Sequence, residues 1–287
     1  MITYRELIKQ ATKWISKTEA EYLLEALSHK KRYELYLNDA YVPLGINNHF
    51  RHLLENRLKG TPIQYLVKTA YFLDFELYVD SRVLIPRFET EELVIKTINK
   101  IRDSRLTPNF ILDLGTGAGN IAIALADAFP TAHIVATDIS QDALAVANYN
   151  IKKYKMEKRI SLINCNLFEF LKTDSYLLPP TFRISNFKFD VIISNPPYIP
   201  SNELAKLPTS VRNYEPRIAL DGGEQGFEII KKIITEAENY LNPNGFLALE
   251  IDPRQERLIA NTVKNATVRF ELDLQENIRY AFISYFS

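Results

Sequence analysis

From about residue 90 onward the sequence repeats one pattern, in which an apolar run of strand type is followed by a loop and a segment of helical periodicity. Such alternation is typical of an α/β protein with a mostly parallel sheet covered on both faces, because each parallel strand needs a crossover connection. The helical patterns cover residues 121–129, 142–155 and 226–241. The predicted strands are Phe110–Leu114, His133–Thr137, Ile160–Asn164, Asp190–Ser194 and Gly245–Ile251. Two further strand-like runs, V-R-F-E-L-D-L and R-Y-A-F-I-S-Y-F, should form a terminal hairpin on this sheet.

The segment before residue 60 has helical periodicity instead. Thr18 and Glu21 have the spacing of a capping box, and a later helix should end at Gly60. We expect Trp14 to anchor the core of this helical segment. Residues 61–86 alternate imperfectly and are rich in aromatic and β-branched residues, which indicates a hairpin. The predicted parts are a helical domain over residues 1–70, a β-hairpin linker over 71–90 and an α/β domain over 91–287.

The composition excludes several classes of protein. The 35 Lys and Arg residues balance the 35 Asp and Glu residues, and a chain without excess positive charge is poorly suited to duplex DNA. The 287 residues are 46% hydrophobic, and no apolar run approaches the ~18 residues of a membrane span. The single cysteine, Cys165, cannot form an intramolecular disulfide, which fits a reducing compartment. We therefore expect a cytoplasmic globular protein that binds neither membranes nor duplex nucleic acid.

Glycine is scarce, and most of it lies in two clusters. Only 9 glycines occur, and three of them, Gly115, Gly117 and Gly119, directly follow a predicted strand. The second cluster consists of Gly222, Gly223 and Gly226. A chain this sparing with glycine places it where the backbone must turn tightly or approach another group closely. Both clusters are therefore candidate parts of a functional site.

The loop Gly115–Gly119 has the spacing G-x-G-x-G. Asn120 occupies the place of the third glycine in a dinucleotide fingerprint, and no Lys-Ser or Lys-Thr follows as in a P-loop. Asp138 follows the next predicted strand, about 20 residues downstream, where a carboxylate can accept hydrogen bonds from both hydroxyls of a ribose. The loop alone fits a helix-packing turn as well as a binding loop. Together, the loop and Asp138 favour an adenosine-containing ligand.

The segment Asn195-Pro196-Pro197-Tyr198 directly follows a predicted buried strand. The prolines restrict the backbone and remove two amide donors, which leaves the Asn195 side-chain oxygen and the Pro196 carbonyl as acceptors. Two acceptors with this spacing suit both hydrogens of a planar amino group, and the Tyr198 ring could cover the face of that group. A rigid turn is the alternative, because Asn-Pro is common turn chemistry. The position at a strand end beside the glycine loop favours a functional corner.

These motifs together resemble the class I S-adenosylmethionine-dependent methyltransferases that act on a planar amino or amide nitrogen. Four segments narrow the resemblance to the HemK/PrmC family of protein-(glutamine-N5) methyltransferases. They are G-T-P-I-Q-Y-L at 60–66, L-I-P-R-F-E-T-E at 84–91, the whole of 110–126 and E-P-R-I-A-L-D-G-G at 215–223. The resemblance implies a Rossmann-like α/β fold with a mostly parallel seven-stranded sheet, a small N-terminal helical domain and a connecting β-hairpin. It also implies methylation of the glutamine in the Gly-Gly-Gln motif of peptide chain release factors, with S-adenosylmethionine as cofactor and S-adenosylhomocysteine as product. Because a glutamine side chain is small and common, we expect the helical domain over residues 1–70 to recognise the protein substrate.

The same resemblance assigns residues to the site. It implies that the glycine loop lies against the methionine part of the cofactor, Asp138 on its ribose, and Asn166 and Leu167 near its adenine. The implied cofactor-binding residues are Gly115, Thr116, Gly117, Ala118, Gly119, Asp138, Asn166, Leu167 and Asn195. The implied catalytic residues are Asn195, Pro196, Pro197 and Tyr198. Phe88 and Asn166 depart from the family, which usually has a proline and an acidic residue at these places.

Three alternatives stay open. A related enzyme that methylates a glutamine of a large-subunit ribosomal protein shares N-P-P-Y, although T-E-E-L after Ile-Pro-Arg resembles the release-factor branch. An adenine-amino DNA methyltransferase shares the motif too, but it predicts a basic cleft. The third alternative is a non-catalytic cofactor-binding protein, but such a protein would have no need of the Asn195–Tyr198 corner.

Three further expectations concern residues outside these motifs. The histidines show no ligand spacing with Cys165, so we expect no metal site. His49 and His52 should lie on a solvated helix face. The stretch 173–188, which contains two adjacent prolines, is predicted to be a surface loop.

Overall fold

The computed structural model describes residues 2–37, 40–172 and 187–286, so most of the predicted loop 173–188 lies outside the described residues. The helices are α1 (Tyr4–Ala11), α2 (Lys17–Ser28), α3 (Leu44–Leu58), α4 (Ile63–Val67), α5 (Phe88–Asp103), α6 (Asn120–Ala128), α7 (Gln141–Lys153), α8 (Glu169–Lys172), α9 (Thr209–Arg212), α10 (Glu228–Ala237) and α11 (Glu256–Thr262). The strands are β1 (Thr69–Phe72), β2 (Phe75–Tyr78), β3 (Phe110–Leu114), β4 (His133–Asp138), β5 (Ile160–Asn164), β6 (Phe189–Ser194), β7 (Leu241–Glu250), β8 (Ala266–Leu272) and β9 (Ile278–Tyr285). None of these helices has the length and apolar character needed to cross a membrane.

The chain divides into two compact units. The first consists of Met1–Thr69 together with Pro208–Tyr214, and the second consists of Ala70–Leu207 together with Glu215–Ser287. Strands β1 and β2 form a separate two-stranded sheet, which confirms a hairpin within residues 61–86, although α4 also lies in that range. The roles of residues 1–70 and 71–90 as recognition domain and linker stay predictions.

The larger unit is built on one seven-stranded sheet with the strand order β5-β4-β3-β6-β7-β9-β8. The first five strands in this order pair in parallel, and β9 is antiparallel to both β7 and β8. This arrangement confirms the predicted mostly parallel sheet and the terminal hairpin on it. The predicted bounds of β3 and β5 are confirmed, whereas β7 begins at Leu241 rather than at Gly245.

Alternate residues of the central strands point into two separate cores. In β6, Val191 and Ile193 belong to the core formed with α5, α6 and α7, whereas Ile192 belongs to the core formed with α10 and α11. Side chains alternate between the two faces of a strand, and both faces of this sheet are covered by helices. Every residue of β6 is therefore buried, which explains why its sequence is a nearly continuous apolar run.

The parallel strands all end at one edge of the sheet. Strand β3 lies between β4 and β6, and the chain runs outward from β3 through β4 to β5 before it returns to β6 on the other side. Ligands of open parallel sheets bind beyond the carboxyl ends of the strands at such a switch point. The segments that follow Leu114 and Ser194 therefore border the expected ligand site.

The helical unit has a core of its own, which includes Tyr4, Leu7, Leu23 and Phe50. Trp14 does not belong to this core, because its side chain is 62% exposed. The expectation that Trp14 anchors the core is therefore wrong. Helix α1 ends at Ala11, so Trp14 lies in the following turn, where no helix face carries it inward.

Helix α2 begins with a capping box, but not at the predicted residues. Ser16 Oγ accepts a hydrogen bond from the Glu19 amide at 3.1 Å, and the Glu19 carboxylate accepts one from the Ser16 amide at 3.0 Å. The box predicted at Thr18 and Glu21 is wrong by two residues, because Thr18 already lies inside the helix. The predicted end of α3 is confirmed, since Gly60 follows it in a left-handed conformation with φ of 101°.

Replacing Ser16 with Ala should lower the free energy of unfolding by about 1 kcal/mol, because the Glu19 amide loses its side-chain acceptor. Thr18→Ala is the matched control, since Thr18 is exposed within the first turn and alanine is the better helix former. Urea unfolding followed by circular dichroism measures both changes. Equal destabilisation by the two substitutions would contradict the assignment of the cap to Ser16.

Candidate functional site

The glycine loop between β3 and α6 forms one wall of a cavity of about 210 Å³. Gly115 and Gly117 have φ angles of 73° and 54°, and a Cβ atom on either would meet no other atom within 4 Å. The amides of Gly115 and Thr116 both donate to the carbonyl of Thr137 at 2.9 Å, which fixes the loop to the end of β4. Glycine therefore leaves open space at the loop, where a bound molecule can approach the backbone closely.

Gly119 has a different part in the same loop. It is the N-cap of α6, with φ of 82°. A Cβ atom there would lie 3.3 Å from the Cβ of Ala147, and Gly119 is not one of the described residues that line the cavity. Gly119 therefore allows α6 to pack closely against α7.

Asp138 ends β4 at the cavity wall. Its Oδ2 accepts a hydrogen bond from the amide of Gly117 at 2.9 Å, and its Oδ1 accepts one from the amide of Ser140 at 2.9 Å. Burial raises the pKa of this carboxyl group, while the amide donors act in the opposite direction. The carboxylate therefore borders the cavity and also ties the glycine loop to the end of β4.

Most of the other residues predicted for the cofactor also lie in the cavity wall. Thr116 Oγ1 donates to the buried carboxylate of Asp113 at 2.6 Å, and Asn166 Nδ2 donates to Glu169 at 3.1 Å. The predicted residues that line the cavity are Gly115, Thr116, Gly117, Ala118, Asp138, Asn166, Leu167, Asn195 and Pro197. The fold thus brings together residues from the ends of four different strands.

The corner Asn195–Tyr198 follows β6 on the other side of the switch point. Asn195 Nδ2 donates a hydrogen bond to Thr90 Oγ1 at 2.8 Å. Within the described residues, neither Asn195 Oδ1 nor the carbonyl oxygen of Pro196 accepts a hydrogen bond. These oxygens are the two acceptors that the sequence predicts for a planar amino group. Asn195 and Pro197 line the cavity, whereas Pro196 is buried and is not among the described lining residues.

Tyr198 supports the corner from its buried side. Its hydroxyl donates to Glu250 Oε1 at 3.1 Å, and its ring packs against the core shared with α10 and α11. Its carbonyl accepts a hydrogen bond from Gln255 Nε2 at 3.3 Å. Burial raises the pKa of the Tyr198 hydroxyl. Tyr198 is not among the described residues of the cavity wall, and the expectation that its ring covers a substrate stays a prediction.

The second glycine cluster packs against this corner. A Cβ atom on Gly222 would lie 2.7 Å from the carbonyl oxygen of Pro197, and one on Gly226 would overlap the carbonyl oxygen of Tyr198. Gly226 also has φ of 69°, a conformation that side chains disfavour. Gly222 and Gly226 therefore allow close backbone packing behind the corner.

Glu250 ends β7 beside the corner and was not predicted from the sequence. Ser194 pairs with Leu249, so Asn195 and Glu250 lie side by side where the two strands end. Glu250 Oε2 accepts a hydrogen bond from Thr90 Oγ1 at 2.7 Å, and the side chain is only 1% exposed. Burial raises the pKa of this carboxyl group to about 7. The available signal was a single acidic residue within the apolar run L-A-L-E-I.

Arg87 and Glu215 connect two of the segments that carry the family resemblance. Arg87 Nη2 donates to Glu215 Oε1 at 2.6 Å. Burial raises the pKa of the Glu215 carboxyl group, while the guanidinium of Arg87 lowers it. Arg87 lines the cavity together with Pro216 and Asp221, so this ion pair joins the start of α5 to the segment after α9 in the cavity wall. Both residues lie in segments that carry the family resemblance, although nothing local in the sequence indicates that they pair.

Three further residues singled out by the sequence have defined surroundings. His49 and His52 are exposed on α3, which confirms the predicted solvated face. In the described ranges, no three His, Cys, Asp or Glu side chains are grouped as metal ligands would be. Phe88, which replaces the usual proline, is the first residue of α5 and is 58% exposed.

Known proteins resemble this chain in both sequence and structure. Residues 109–282 match the family described as methyltransferase domain, and residues 4–67 match the PrmC N-terminal domain. A release factor glutamine methyltransferase of Rhodopirellula baltica is 39% identical over 82% of this chain and 76% of its own length. A ribosomal protein uL3 glutamine methyltransferase of Francisella tularensis is 39% identical over 69% of this chain and 59% of its own length. The crystal structure of the hMettl16 catalytic domain with a MAT2A 3'UTR hairpin aligns with a TM-score of 0.52 at 18% identity, over 74% of this chain and 75% of that one.

The strand order and the glycine loop at its switch point define a class I S-adenosylmethionine-dependent methyltransferase fold, with which the structural similarity agrees. Within this class, the match to the PrmC N-terminal domain and the relatives named as glutamine methyltransferases indicate one family. The chain belongs to the HemK/PrmC family of protein-glutamine methyltransferases, which confirms the resemblance seen in the sequence.

Replacing Gly226 with Ala should destabilise the protein by about 1 kcal/mol or more, because alanine is strained at positive φ and its methyl group meets the Tyr198 carbonyl. Gly45→Ala is the matched control, since a Cβ atom on this residue of α3 meets nothing within 4 Å. Thermal unfolding gives the Tm of each variant. A Gly226→Ala protein as stable as wild type would contradict the packing role of this cluster.

Proposed function

We propose that the protein transfers a methyl group from S-adenosylmethionine to the side-chain amide nitrogen of the glutamine in the Gly-Gly-Gln motif of peptide chain release factors. The observation that carries this proposal is the pair of acceptors at the corner, Asn195 Oδ1 and the Pro196 carbonyl, which have no donor among the described residues. A primary amide has two N–H groups on one nitrogen, so two acceptors fit it. The corner adjoins a cavity large enough for part of an organic cofactor.

The choice among the alternatives rests on the relatives and on charge. Four relatives named release factor glutamine methyltransferase align with 81–83% of this chain and a fifth aligns with 69%, whereas the relative named for protein uL3 aligns with 69%. A duplex DNA substrate would favour an excess of positive charge, whereas the net charge is zero. Release factors are therefore the substrate class that we favour.

The cavity wall fits S-adenosylmethionine. The space beside Gly115 and Gly117 would admit the methionine part, and the Asp138 carboxylate would accept hydrogen bonds from the ribose hydroxyls. Asn166 and Leu167 would lie near the adenine. When bound, this cofactor supplies a methyl group on a positively charged sulfur, which makes the methyl electrophilic, and S-adenosylhomocysteine is the product.

The residues of the corner would activate the acceptor nitrogen. The lone pair of a carboxamide nitrogen is delocalised into its carbonyl group, so the nitrogen is a weak nucleophile. Asn195 Oδ1 and the Pro196 carbonyl would accept both N–H bonds, orient the nitrogen and stabilise the positive charge that develops on it. One N–H proton would leave to water after the transfer. The contribution of the protein is thus positioning and preorganised electrostatics.

The helical domain over residues 1–70 is our candidate for recognition of the protein substrate. A glutamine side chain is small and occurs in most proteins, so the catalytic pocket cannot select one protein by itself. Residues 4–67 match the PrmC N-terminal domain, which supports a specialised role for this segment. The lone cysteine and a release-factor substrate together favour a cytoplasmic location.

Incubation of a purified release factor with the protein and S-adenosylmethionine should add one methyl group, seen by intact-mass measurement and located on the Gly-Gly-Gln peptide. Asn195→Ala should lower kcat on the order of a hundredfold, because the amide nitrogen loses an acceptor that acts on the transition state. The control is Asn261→Ala, at an exposed position of α11. An unmodified release factor would refute the proposed substrate, and near-normal turnover by Asn195→Ala would refute the role of that side chain.

Replacing Asp138 with Ala should weaken cofactor binding by about 1.5–3 kcal/mol, because the ribose hydroxyls lose a charged acceptor. Isothermal titration calorimetry with S-adenosylhomocysteine measures the change. Asp142→Ala removes an exposed carboxylate from the first turn of α7 and should leave the affinity unchanged. Unchanged affinity of a folded Asp138→Ala protein would rule out the ribose assignment.

A further inference from the structure

A buried chain of hydrogen bonds links the corner to the end of β7. Asn195 Nδ2 lies 2.8 Å from Thr90 Oγ1, and Thr90 Oγ1 lies 2.7 Å from Glu250 Oε2. The Tyr198 hydroxyl lies 3.1 Å from the other oxygen of the same carboxyl group. Thr90 and Glu250 are 2% and 1% exposed, so solvent offers them few other partners.

The chemistry of donors and acceptors fixes the direction of these hydrogen bonds. An ionised carboxylate only accepts, so the Thr90 hydroxyl gives its single proton to Glu250. The Thr90 oxygen then offers only lone pairs, and its next partner must be a donor. The amide nitrogen is the donor of the Asn195 side chain, so it faces Thr90 and Oδ1 points elsewhere. The Glu250 carboxylate thereby sets the orientation of the Asn195 side chain through Thr90, without a direct hydrogen bond to Asn195.

We propose that Glu250 and Thr90 are positioning residues that hold the Asn195 carboxamide with its oxygen available to the substrate nitrogen. The inference rests on the proposed function, in which Asn195 Oδ1 is an acceptor. The two ends of a carboxamide are nearly equal in shape, so packing distinguishes them poorly and hydrogen bonding must do so. A flipped Asn195 would present N–H donors to the N–H donors of the glutamine amide, and no hydrogen bond could form between them.

The protonation state of Glu250 should therefore affect turnover. Burial raises the pKa of this carboxyl group to about 7. The groups facing it include Glu89, which acts in the same direction, and Thr90, Tyr198 and Arg279, which favour the ionised form. Tyr280 of β9 pairs with Glu250 on the neighbouring strand, and burial together with the Glu250 charge raises the pKa of its hydroxyl. A protonated carboxyl group can donate as well as accept, so it no longer forces the Thr90 hydroxyl to donate. Wild-type kcat should fall as the pH decreases through about 7.

The kinetic test uses the full chain and a Gly-Gly-Gln peptide. Thr90→Val keeps the shape of the side chain but removes the hydroxyl, and it should lower kcat at least about tenfold with little change in cofactor affinity. Thr90→Ser keeps the hydroxyl and should retain most of the activity. The ratio of wild-type to Thr90→Val kcat should shrink as the pH falls, because protonation of Glu250 can act through the Thr90 hydroxyl only in wild type. Other titrating groups are present in both proteins, so their effects on kcat cancel in the ratio.

Two further variants separate positioning from general stability. Glu250→Gln offers a donor as well as an acceptor to Thr90, so it should lower kcat in wild type but add nothing in the Thr90→Val background. Asp190→Asn is the matched control, because this buried carboxylate binds the Asn109 and Phe110 amides at the opposite end of β6. It should lower the Tm and leave kcat and its pH profile unchanged.

A spectroscopic measurement tests the orientation without any substrate. The side-chain NH₂ signals of Asn195 in a ¹⁵N-labelled protein are identified by their loss in Asn195→Ala. They should shift in Thr90→Val and in Glu250→Gln but keep their position in Thr90→Ser. Signals that stay in place in Thr90→Val would show that the amide nitrogen does not face Thr90, and this would overturn the inference even if the wild-type protein methylates release factors.

The remaining outcomes are equally decisive. Wild-type protein that modifies neither a purified release factor nor a Gly-Gly-Gln peptide refutes the proposed function, while the NMR comparison still decides the orientation of Asn195. Thr90→Val with kcat within about twofold of wild type overturns the inference. So does an equal effect of Glu250→Gln in the wild-type and Thr90→Val backgrounds, because the two residues would then act independently.

Discussion

The parallel pairing of β6 with β3 on one side and β7 on the other is the constraint on which the candidate site depends. Leu114 pairs with Ser194, and Ser194 pairs with Leu249. The next residues along the chain are Gly115, Asn195 and Glu250, so these three lie side by side at the carboxyl ends of their strands. A shift of one residue in either pairing would turn these side chains to the opposite face and separate the corner from the glycine loop.

Burial gives this edge of the sheet both its order and its electrostatic character. Asp113 and Glu250 are almost completely buried, and burial raises the pKa of each carboxyl group to about 7. Each accepts a threonine hydroxyl, from Thr116 in the glycine loop and from Thr90 in α5. Buried polar groups that are hydrogen-bonded in this way have few alternative arrangements, so they hold neighbouring groups in fixed directions. Burial disfavours the ionised carboxylates that orient the site. Keeping Asp113 and Glu250 ionised therefore lowers the free energy of unfolding.

Much of the fold could be predicted from the sequence because it depends on local patterns. The apolar runs located the strands, since strands buried on both faces have few polar residues. The error at Thr18 arose because several Ser, Thr and Glu residues near that helix start have suitable spacing, and only the backbone shows which one is the cap. Trp14 was misplaced because its size favours burial, whereas its position in a turn prevents it.

The site was predictable only in part, for a physical reason. The glycine loop, Asp138 and the corner are contiguous motifs whose chemistry is visible in the sequence. Thr90, by contrast, is hydrogen-bonded to Asn195 and Glu250, which are each more than 100 residues away in the sequence. No local sequence pattern indicates such a contact. Gly119 and Tyr198 also support the packing of their motifs, because Gly119 lets α6 approach α7 and the Tyr198 hydroxyl is hydrogen-bonded to Glu250.

A crystal structure with S-adenosylhomocysteine and a Gly-Gly-Gln peptide tests the central claim most directly. We expect the glutamine side-chain nitrogen to lie about 2.7–3.2 Å from both Asn195 Oδ1 and the Pro196 carbonyl oxygen, on the cavity side of the corner. Asn195 Nδ2 should remain on Thr90. A peptide whose glutamine carbonyl group faces Asn195, or whose nitrogen contacts neither oxygen, would contradict the account.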